Sequence, residues 1–175
     1  IRRYGLLLLT VCLIAWGTLP FPYVSLGIFW FFTLTLADLF RASEPLNIIC
    51  TPELPPAGFL HRKLKENLTA YLCLLAPLCL ACLAVHPEDW WLSAYYLLAM
   101  TTNAALVIVS KYAHYSPGEK IMGGQIAIII SFCCVAVPIL YPLPLFYLIK
   151  NYSAARRNLN IYLDAYDTKP ACSIR

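Results

Sequence analysis

Charge is scarce in this sequence, and its scarcity excludes an ordinary soluble domain. Only 13% of the 175 residues are Asp, Glu, Lys or Arg, whereas 61% are hydrophobic. Soluble domains contain about 25% charged and about 45–50% apolar residues. A soluble domain of this length would need much more polar surface to cover its core. The composition therefore predicts a protein that is embedded in a lipid bilayer.

Several enzyme motifs are also missing from the sequence. It contains no G-x-x-x-x-G-K-S/T phosphate-binding loop, no H-E-x-x-H zinc motif and no spacing typical of a Ser/His/Asp triad. The long apolar runs contain no pair of carboxylates. We therefore predict that the chain is not an enzyme, that it holds no cofactor and that it does not bind nucleic acid.

Cysteine is abundant, with eight residues, but most of them lie within apolar runs. Only Cys79 and Cys82 form a C-x-x-C pair, which places both thiols on one face of a helix. A dithiol or zinc site needs polar, accessible surroundings, and zinc needs two further ligands. We therefore interpret the cysteines as small buried hydrophobic residues. His86, Glu88 and Asp89 share one turn, which we interpret as a helix start rather than a metal site.

Prolines and polar stretches divide the long apolar runs. A membrane-spanning helix needs about 20 apolar residues. The run before Asp38 is too long for one span, and Pro20 and Pro22 favour a turn within it. Three prolines between 138 and 144 leave open whether 121–150 forms one kinked helix or two. We predict an all-α membrane domain over residues 1–150 with six transmembrane helices in three hairpins, at about 4–19, 22–40, 67–86, 90–112, 121–137 and 138–150.

The distribution of Lys and Arg predicts the orientation of these helices. With six spans, one side of the membrane receives all 13 Lys and Arg residues, and the three turns on the other side receive none. Because positive charge marks the cytoplasmic side, both termini, the loop 41–66 and the tail 151–175 are predicted to be cytoplasmic. We expect a multi-pass protein of the plasma membrane, and the tight outer turns favour a bacterial inner membrane. Aromatic residues that suit an interfacial belt lie near the outer turns: Trp16, Tyr23, Trp90, Trp91 and Tyr141.

The predicted cytoplasmic loop ends in an amphipathic stretch, PELPPAGFLHRKLKENL at 52–68. Its prolines suit a helix start. Phe59, Leu60 and Leu64 share one stripe of that helix, whereas the basic residues lie mostly off it. This pattern predicts a short amphipathic helix on the membrane surface that leads into the third span. Basic residues in such a helix bind anionic lipid with about 1 kcal/mol each.

The same stretch resembles the coupling segment of ABC-2 type exporter permeases, in which a short cytoplasmic helix after the second span docks on an ATPase subunit. The resemblance covers about residues 22–112. It implies a permease-like subunit that works with a separate ATP-binding subunit, as a homodimer or heterodimer. The matching positions are Pro52, Leu54, Pro55, Phe59, Leu60, Lys63 and Leu64. The residues expected to couple to the ATPase are Phe59, Leu60, Arg62, Lys63 and Leu64. The alternative is a non-catalytic membrane scaffold or assembly protein, in which the basic loop only anchors lipid.

Three polar residues are candidates for a substrate path. Asn103 lies near the middle of the fourth span, where an amide either bonds a neighbouring helix or contacts a substrate. Gln125 follows two glycines at the entry of the fifth span, where close packing is the other interpretation. Asp38 ends the second span one turn before Arg41. It forms either an ion pair at the interface or a transport carboxylate.

Overall fold

A computed structural model describes residues 2–21, 24–28, 30, 31, 33, 55–116, 125–135 and 137–167. All regular elements among these residues are helical, which confirms the predicted all-α class. Asp38 and the start of the predicted coupling segment, 52–54, lie outside the described residues.

Five α-helices and two short 3-10 helices form the described elements. Helical residues 24–28, 30, 31 and 33, called here the second segment, follow the first helix. Residues 121–150, for which the sequence left one or two helices open, contribute to two helices. The elements are α1 (Arg2–Gly17), α2 (Pro56–Val85), a 3-10 helix (Pro87–Asp89), α3 (Trp90–Ala113), α4 (Gln125–Val135), a 3-10 helix (Pro138–Leu140) and α5 (Pro142–Asp167).

Helices α2 and α3 form a hairpin whose ends are set by proline. Pro56 occupies the first turn of α2, where its fixed φ suits a helix and its missing N–H costs nothing. The backbone N–H of His86 donates to the Cys82 carbonyl at 2.8 Å and closes the last turn of α2. Pro87 then begins the 3-10 helix that leads directly into α3. Because this connection is short, the two helices are antiparallel neighbours.

The described residues include two helical stretches that are long and apolar enough to cross a membrane, Pro56–Val85 and Pro87–Ala113. They correspond to the third and fourth predicted spans. The other four predicted spans stay predictions. Of the two apolar stretches, the α3 stretch is 61% buried and the α2 stretch 28% buried. This difference identifies α3 as the central helix, and it packs against α2, α4 and α5.

Two hydrophobic clusters lie along α3. The turn-end cluster surrounds the half of α3 that is nearest the α2–α3 turn and consists of Ala15, Leu26, Tyr71, Leu75, Leu78, Cys79, Cys82, Tyr96, Ala99 and Met100. The tail-end cluster joins the start of α2, the end of α3 and the second half of α5, and consists of Phe59, Leu60, Ile108, Val109, Tyr112, Tyr115, Ala155 and Leu159.

The amphipathic stretch differs from the separate surface helix that the sequence predicts. Residues 56–66 are the first turns of the 30-residue helix α2. Their apolar stripe faces protein, since Phe59 is 2% exposed and Leu60 0% exposed within the tail-end cluster. The physical reason is that α3 and α5 extend far enough along the bundle to cover this stripe.

Helix α5 runs without a break past residue 150, where the sequence predicts the end of the last span. No Pro or Gly follows Pro144 until Pro170, so nothing in this stretch stops a helix. Ala155 and Leu159, which belong to the predicted tail, are fully buried in the tail-end cluster. The first part of the predicted cytoplasmic tail is therefore a packed part of the bundle.

Candidate functional site

Hydroxyl groups in the turn-end half of the bundle bond to neighbouring elements. The Thr33 and Tyr71 hydroxyl oxygens lie 2.7 Å apart, which links the second segment to α2. The Tyr96 hydroxyl donates to the Leu26 carbonyl and links α3 to the second segment. The Ser25 hydroxyl donates to the Ala15 carbonyl at 2.8 Å. These buried groups therefore hold the packing of this half in place.

Tyr141 fixes the start of α5 against α3. Its hydroxyl oxygen lies 2.7 Å from that of Thr102, which also bonds the Leu98 carbonyl at 2.9 Å. The Tyr141 ring meets the Tyr95 ring edge-on with centroids 6.0 Å apart. At the other end, the Asn158 amide donates to the carbonyls of Tyr112 at 3.2 Å and Tyr115 at 3.0 Å. These contacts show that α5 runs parallel to α3.

Between these two fixed points, three buried polar side chains have atoms without a hydrogen-bond partner in the described part of the chain. They are both amide atoms of Asn103, the hydroxyl of Ser110 and the amide nitrogen of Asn151. Asn103 and Ser110 are each 1% exposed, and Asn151 is 8% exposed. A buried polar group without a partner costs about 1–3 kcal/mol. We call these three residues the buried polar group of the bundle.

The helical geometry places the three residues of the buried polar group at similar levels along the bundle. Asn103 and Ser110 are seven residues apart on α3, which corresponds to two turns and one helix face, about 10 Å apart along the axis. The parallel packing of α5 puts Asn151 at a level between Thr102 and Tyr112. Two half-buried residues near the turn, Trp30 and His86, also have a ring nitrogen without a described partner.

Asn103 thus lies inside the bundle, where the sequence predicts it, but no described helix bonds its amide. Ser110 and Asn151 were missed by sequence reasoning. The spacing of Asn103 and Ser110 at i and i+7 was a usable signal, because it places both on one helix face. Asn151 was assigned to the tail, so its burial was not expected. Gln125 begins α4, and Asp38 lies outside the described residues.

The five predicted coupling residues divide into a packed and an open group. The Phe59 ring meets the Tyr112 ring edge-on, with centroids 5.6 Å apart, and Leu60 is fully buried beside it. Leu64 is half-buried against the same cluster. Lys63 is half-buried, with its ammonium 5.7 Å from the centroid of the Phe59 ring. Of the five, Arg62 is the exposed one.

The start of α2 carries a charged surface on the side that faces away from the packed stripe. We call it the basic face, and it consists of the exposed residues His61, Arg62, Lys65 and Glu66. Arg62 Nε donates to Glu66 Oε1 at 2.8 Å, one turn further along the helix. This hydrogen bond lowers the pKa of the Glu66 carboxyl below its ordinary value. Because both side chains are exposed, solvent screens the pair and it contributes little stability.

The tail-end cluster connects this basic face to the central helix. Phe59 and Leu60 contact the end of α3, and the Tyr115 and Tyr162 rings meet edge-on with centroids 5.5 Å apart. The Asn158 amide bonds carbonyls at and just beyond the end of α3. The Tyr112 carbonyl also accepts a hydrogen bond from the backbone N–H of Tyr115 at 3.4 Å. Because these side chains are packed together, a displacement of the start of α2 would also displace α3 and α5.

The cysteines agree only in part with their interpretation as buried hydrophobic residues. Cys79, Cys82 and Cys134 are buried, whereas Cys73 and Cys133 are exposed. Within the described residues, no group of three or more His, Cys, Asp or Glu side chains is placed to hold a metal ion.

No protein-family model, no curated protein and no solved structure matches this chain.

Proposed function

We propose that the chain is a permease-like subunit of a membrane exporter that works with a separate ATP-binding subunit. The observation that carries the proposal is the buried polar group, Asn103, Ser110 and Asn151. Polar side chains without partners are costly inside a bundle. In membrane proteins, buried polar residues often mark the path of an ion or substrate. A role that consists only of anchoring other proteins does not explain why destabilising polar residues are buried in the bundle.

The surface of the bundle supports a location in lipid. Only 28% of the apolar stretch of α2 is buried. A core helix of a soluble protein would be mostly covered, and soluble monomers rarely expose apolar patches beyond a few hundred Å². Large exposed hydrophobic side chains occur on all the long helices, including Leu80, Leu83, Trp90, Trp91, Leu98, Phe146 and Ile149.

For coupling to an ATPase, the basic face is the available contact surface. Phe59 and Leu60 are packed inside the tail-end cluster, so they would transmit a movement rather than touch the partner. Arg62 and Lys65 would make the contact, together with the open parts of Lys63 and Leu64. In this mechanism, a push on the start of α2 shifts α3, the helix that carries Asn103 and Ser110.

The alternative function is a membrane scaffold that is anchored by its basic face. One observation favours it: the exposed residues from His61 to Glu66 are all charged or titratable, and Leu64, the apolar residue of that stretch, is half-buried. Such a surface suits lipid headgroups, which attract basic side chains. It suits less well a docking helix that inserts apolar side chains into a partner.

Copurification separates the two functions. The intact chain would be purified from native membranes in mild detergent, and its partners identified by mass spectrometry. The exporter proposal expects a stoichiometric nucleotide-binding subunit, which is lost with Arg62→Glu plus Lys65→Glu. The matched control is Arg156→Glu plus Arg157→Glu, an equal charge reversal at exposed positions of α5, which should keep the partner. A folded, abundant chain that purifies without a nucleotide-binding subunit would contradict the exporter and favour the scaffold.

A further inference from the structure

The second half of α5 lines a shallow open cavity of about 390 Å³. Two of its residues, Arg156 and Arg157, supply guanidinium groups, and the other three supply hydroxyl and amide groups. Among the described residues, no acidic side chain lines the cavity. Arginine binds the oxygens of a phosphate through several N–H donors at once. The lining residues are Tyr152, Ser153, Arg156, Arg157 and Asn160.

The face of α5 that lines this cavity is apolar in the first half of the helix. Phe146 is 63% exposed and Ile149 is 69% exposed. Counting onward from them in steps of three or four residues leads to Ser153, Arg156 and Asn160, so all five share one stripe of the helix. One continuous face therefore changes from apolar to basic along its length.

The distance over which this face changes fits the edge of a bilayer. Arg156 follows Ile149 by seven residues, a rise of about 10 Å along a helix. The headgroup layer on each side of the hydrocarbon core is about 5–8 Å thick. If Ile149 lies at the outer edge of the hydrocarbon core, next to the headgroups, the long side chain of Arg156 reaches back to the level of the phosphates.

The size of the cavity also suits a lipid headgroup. The volume of about 390 Å³ is many times the space of about 10–15 Å³ that a single water molecule needs on the same measure. This space is enough for a phosphate together with the ester groups that flank it. A single free phosphate would leave much of the cavity to solvent.

We propose that this cavity binds the phosphate of an anionic phospholipid, with Arg156 and Arg157 as the charged donors and Tyr152 and Ser153 as hydroxyl donors. The proposal rests on the membrane location proposed above, but not on export. The site is separate from the basic face, since it lies on α5 rather than on the start of α2. It gives the cytoplasmic tail a role in fixing the depth of α5 in the membrane.

Lipid binding by the full chain tests the site. The purified protein would be placed in nanodiscs of phosphatidylcholine and titrated with phosphatidylglycerol, and bound lipid would be measured by native mass spectrometry. The variant Arg156→Gln plus Arg157→Gln should bind phosphatidylglycerol about 30-fold more weakly, since each basic residue contributes about a factor of five. The matched control, Arg156→Lys plus Arg157→Lys, keeps both charges but lacks the planar guanidinium N–H donors, so it should restore only part of the binding.

The other outcomes overturn particular parts of the proposal. Full binding by the Lys variant would show general charge attraction instead of a site. Displacement of the lipid by millimolar inorganic phosphate would identify a free-phosphate site. Binding of phosphatidylcholine as tightly as phosphatidylglycerol would remove the requirement for an anionic lipid. Before the titration, extraction of native membranes with alkaline carbonate tests the premise, since release of the chain would contradict its membrane location itself.

Discussion

In the turn-end half of the bundle, buried hydroxyl groups bond the second segment to α1, α2 and α3, whereas further along α3 the buried polar group has no described partner. Both regions pack against the same central helix. In the first region, polar atoms add specificity to the packing. In the second, the polar atoms have no described hydrogen-bond partner, so their burial lowers the stability of the fold. This difference is the reason why we propose a functional role for the second region and a structural role for the first.

The largest effect is expected where the tail-end cluster is broken. Phe59→Ala should lower the free energy of unfolding by about 3–5 kcal/mol, because it leaves a cavity beside Tyr112. The measurement is thermal or denaturant unfolding of the purified protein in detergent. Leu80→Ala on the exposed side of the same helix is the matched control and should cost much less. Similar losses in the two variants would contradict the packing of Phe59.

A smaller loss of stability is expected in the turn-end half, where the buried hydroxyl groups have hydrogen-bond partners. Tyr96→Phe removes the hydroxyl that bonds the Leu26 carbonyl and leaves that carbonyl without this donor. The expected cost is about 1–3 kcal/mol. It would be measured by the same unfolding assay, with Tyr147→Phe, a half-buried tyrosine of α5, as the control. An unchanged stability would remove the distinction between the two halves.

In the buried polar group, a substitution should leave the stability unchanged or raise it, instead of lowering it. Asn103→Leu replaces an amide without a described partner by an apolar side chain of similar size. We expect the free energy of unfolding to stay constant or to rise by about 1 kcal/mol. In the proposed exporter complex, the rate of ATP hydrolysis should fall in the same variant.

The control for Asn103 is Thr101→Val on the same helix. The Thr101 hydroxyl bonds the Leu97 and Leu98 carbonyls of its own helix, at 2.9 Å each, so its loss should leave hydrolysis unchanged. A loss of stability above about 1 kcal/mol in Asn103→Leu would instead show that the amide makes a structural hydrogen bond.

The smallest effect concerns the basic face and depends on pH. Arg62 lowers the pKa of Glu66, so the pair stabilises the fold above the ordinary Glu pKa of about 4.3. This contribution is lost as the pH falls through the lowered pKa. Glu66→Gln should therefore make the melting temperature slightly less sensitive to acid between about pH 5 and pH 3. An identical acid response in both proteins would show that the pair adds nothing in solution.

Sequence reasoning located the α2–α3 hairpin well, because its signals are local. Long apolar runs predict the helices, and the proline-containing turn at 86–89 predicts their connection. The sequence predicts membrane spans that begin near residue 67 and end near residue 150, and the helices α2 and α5 extend beyond these limits. A helix continues through polar residues when no Pro or Gly stops it.

The candidate site was predicted only where composition marked it. Asn103 is a polar residue in an apolar run, and this contrast is visible in the sequence alone. Asn151 follows Lys150 in a polar stretch, so nothing local distinguishes it from an exposed residue. Its burial arises because α3 lies alongside α5, and periodicity within one helix carries no information about its neighbour.

The amino-acid sequence by itself determined that this protein is helical and strongly apolar, because composition and periodicity are properties of each segment alone. It also determined where the basic residues fall along the chain. The tertiary structure decided that Phe59 and Leu60 face inward, that Asn103, Ser110 and Asn151 are buried, and that Arg156 and Arg157 line a cavity. These features depend on which helices meet and at what level, and contacts between segments distant in the sequence fix that arrangement.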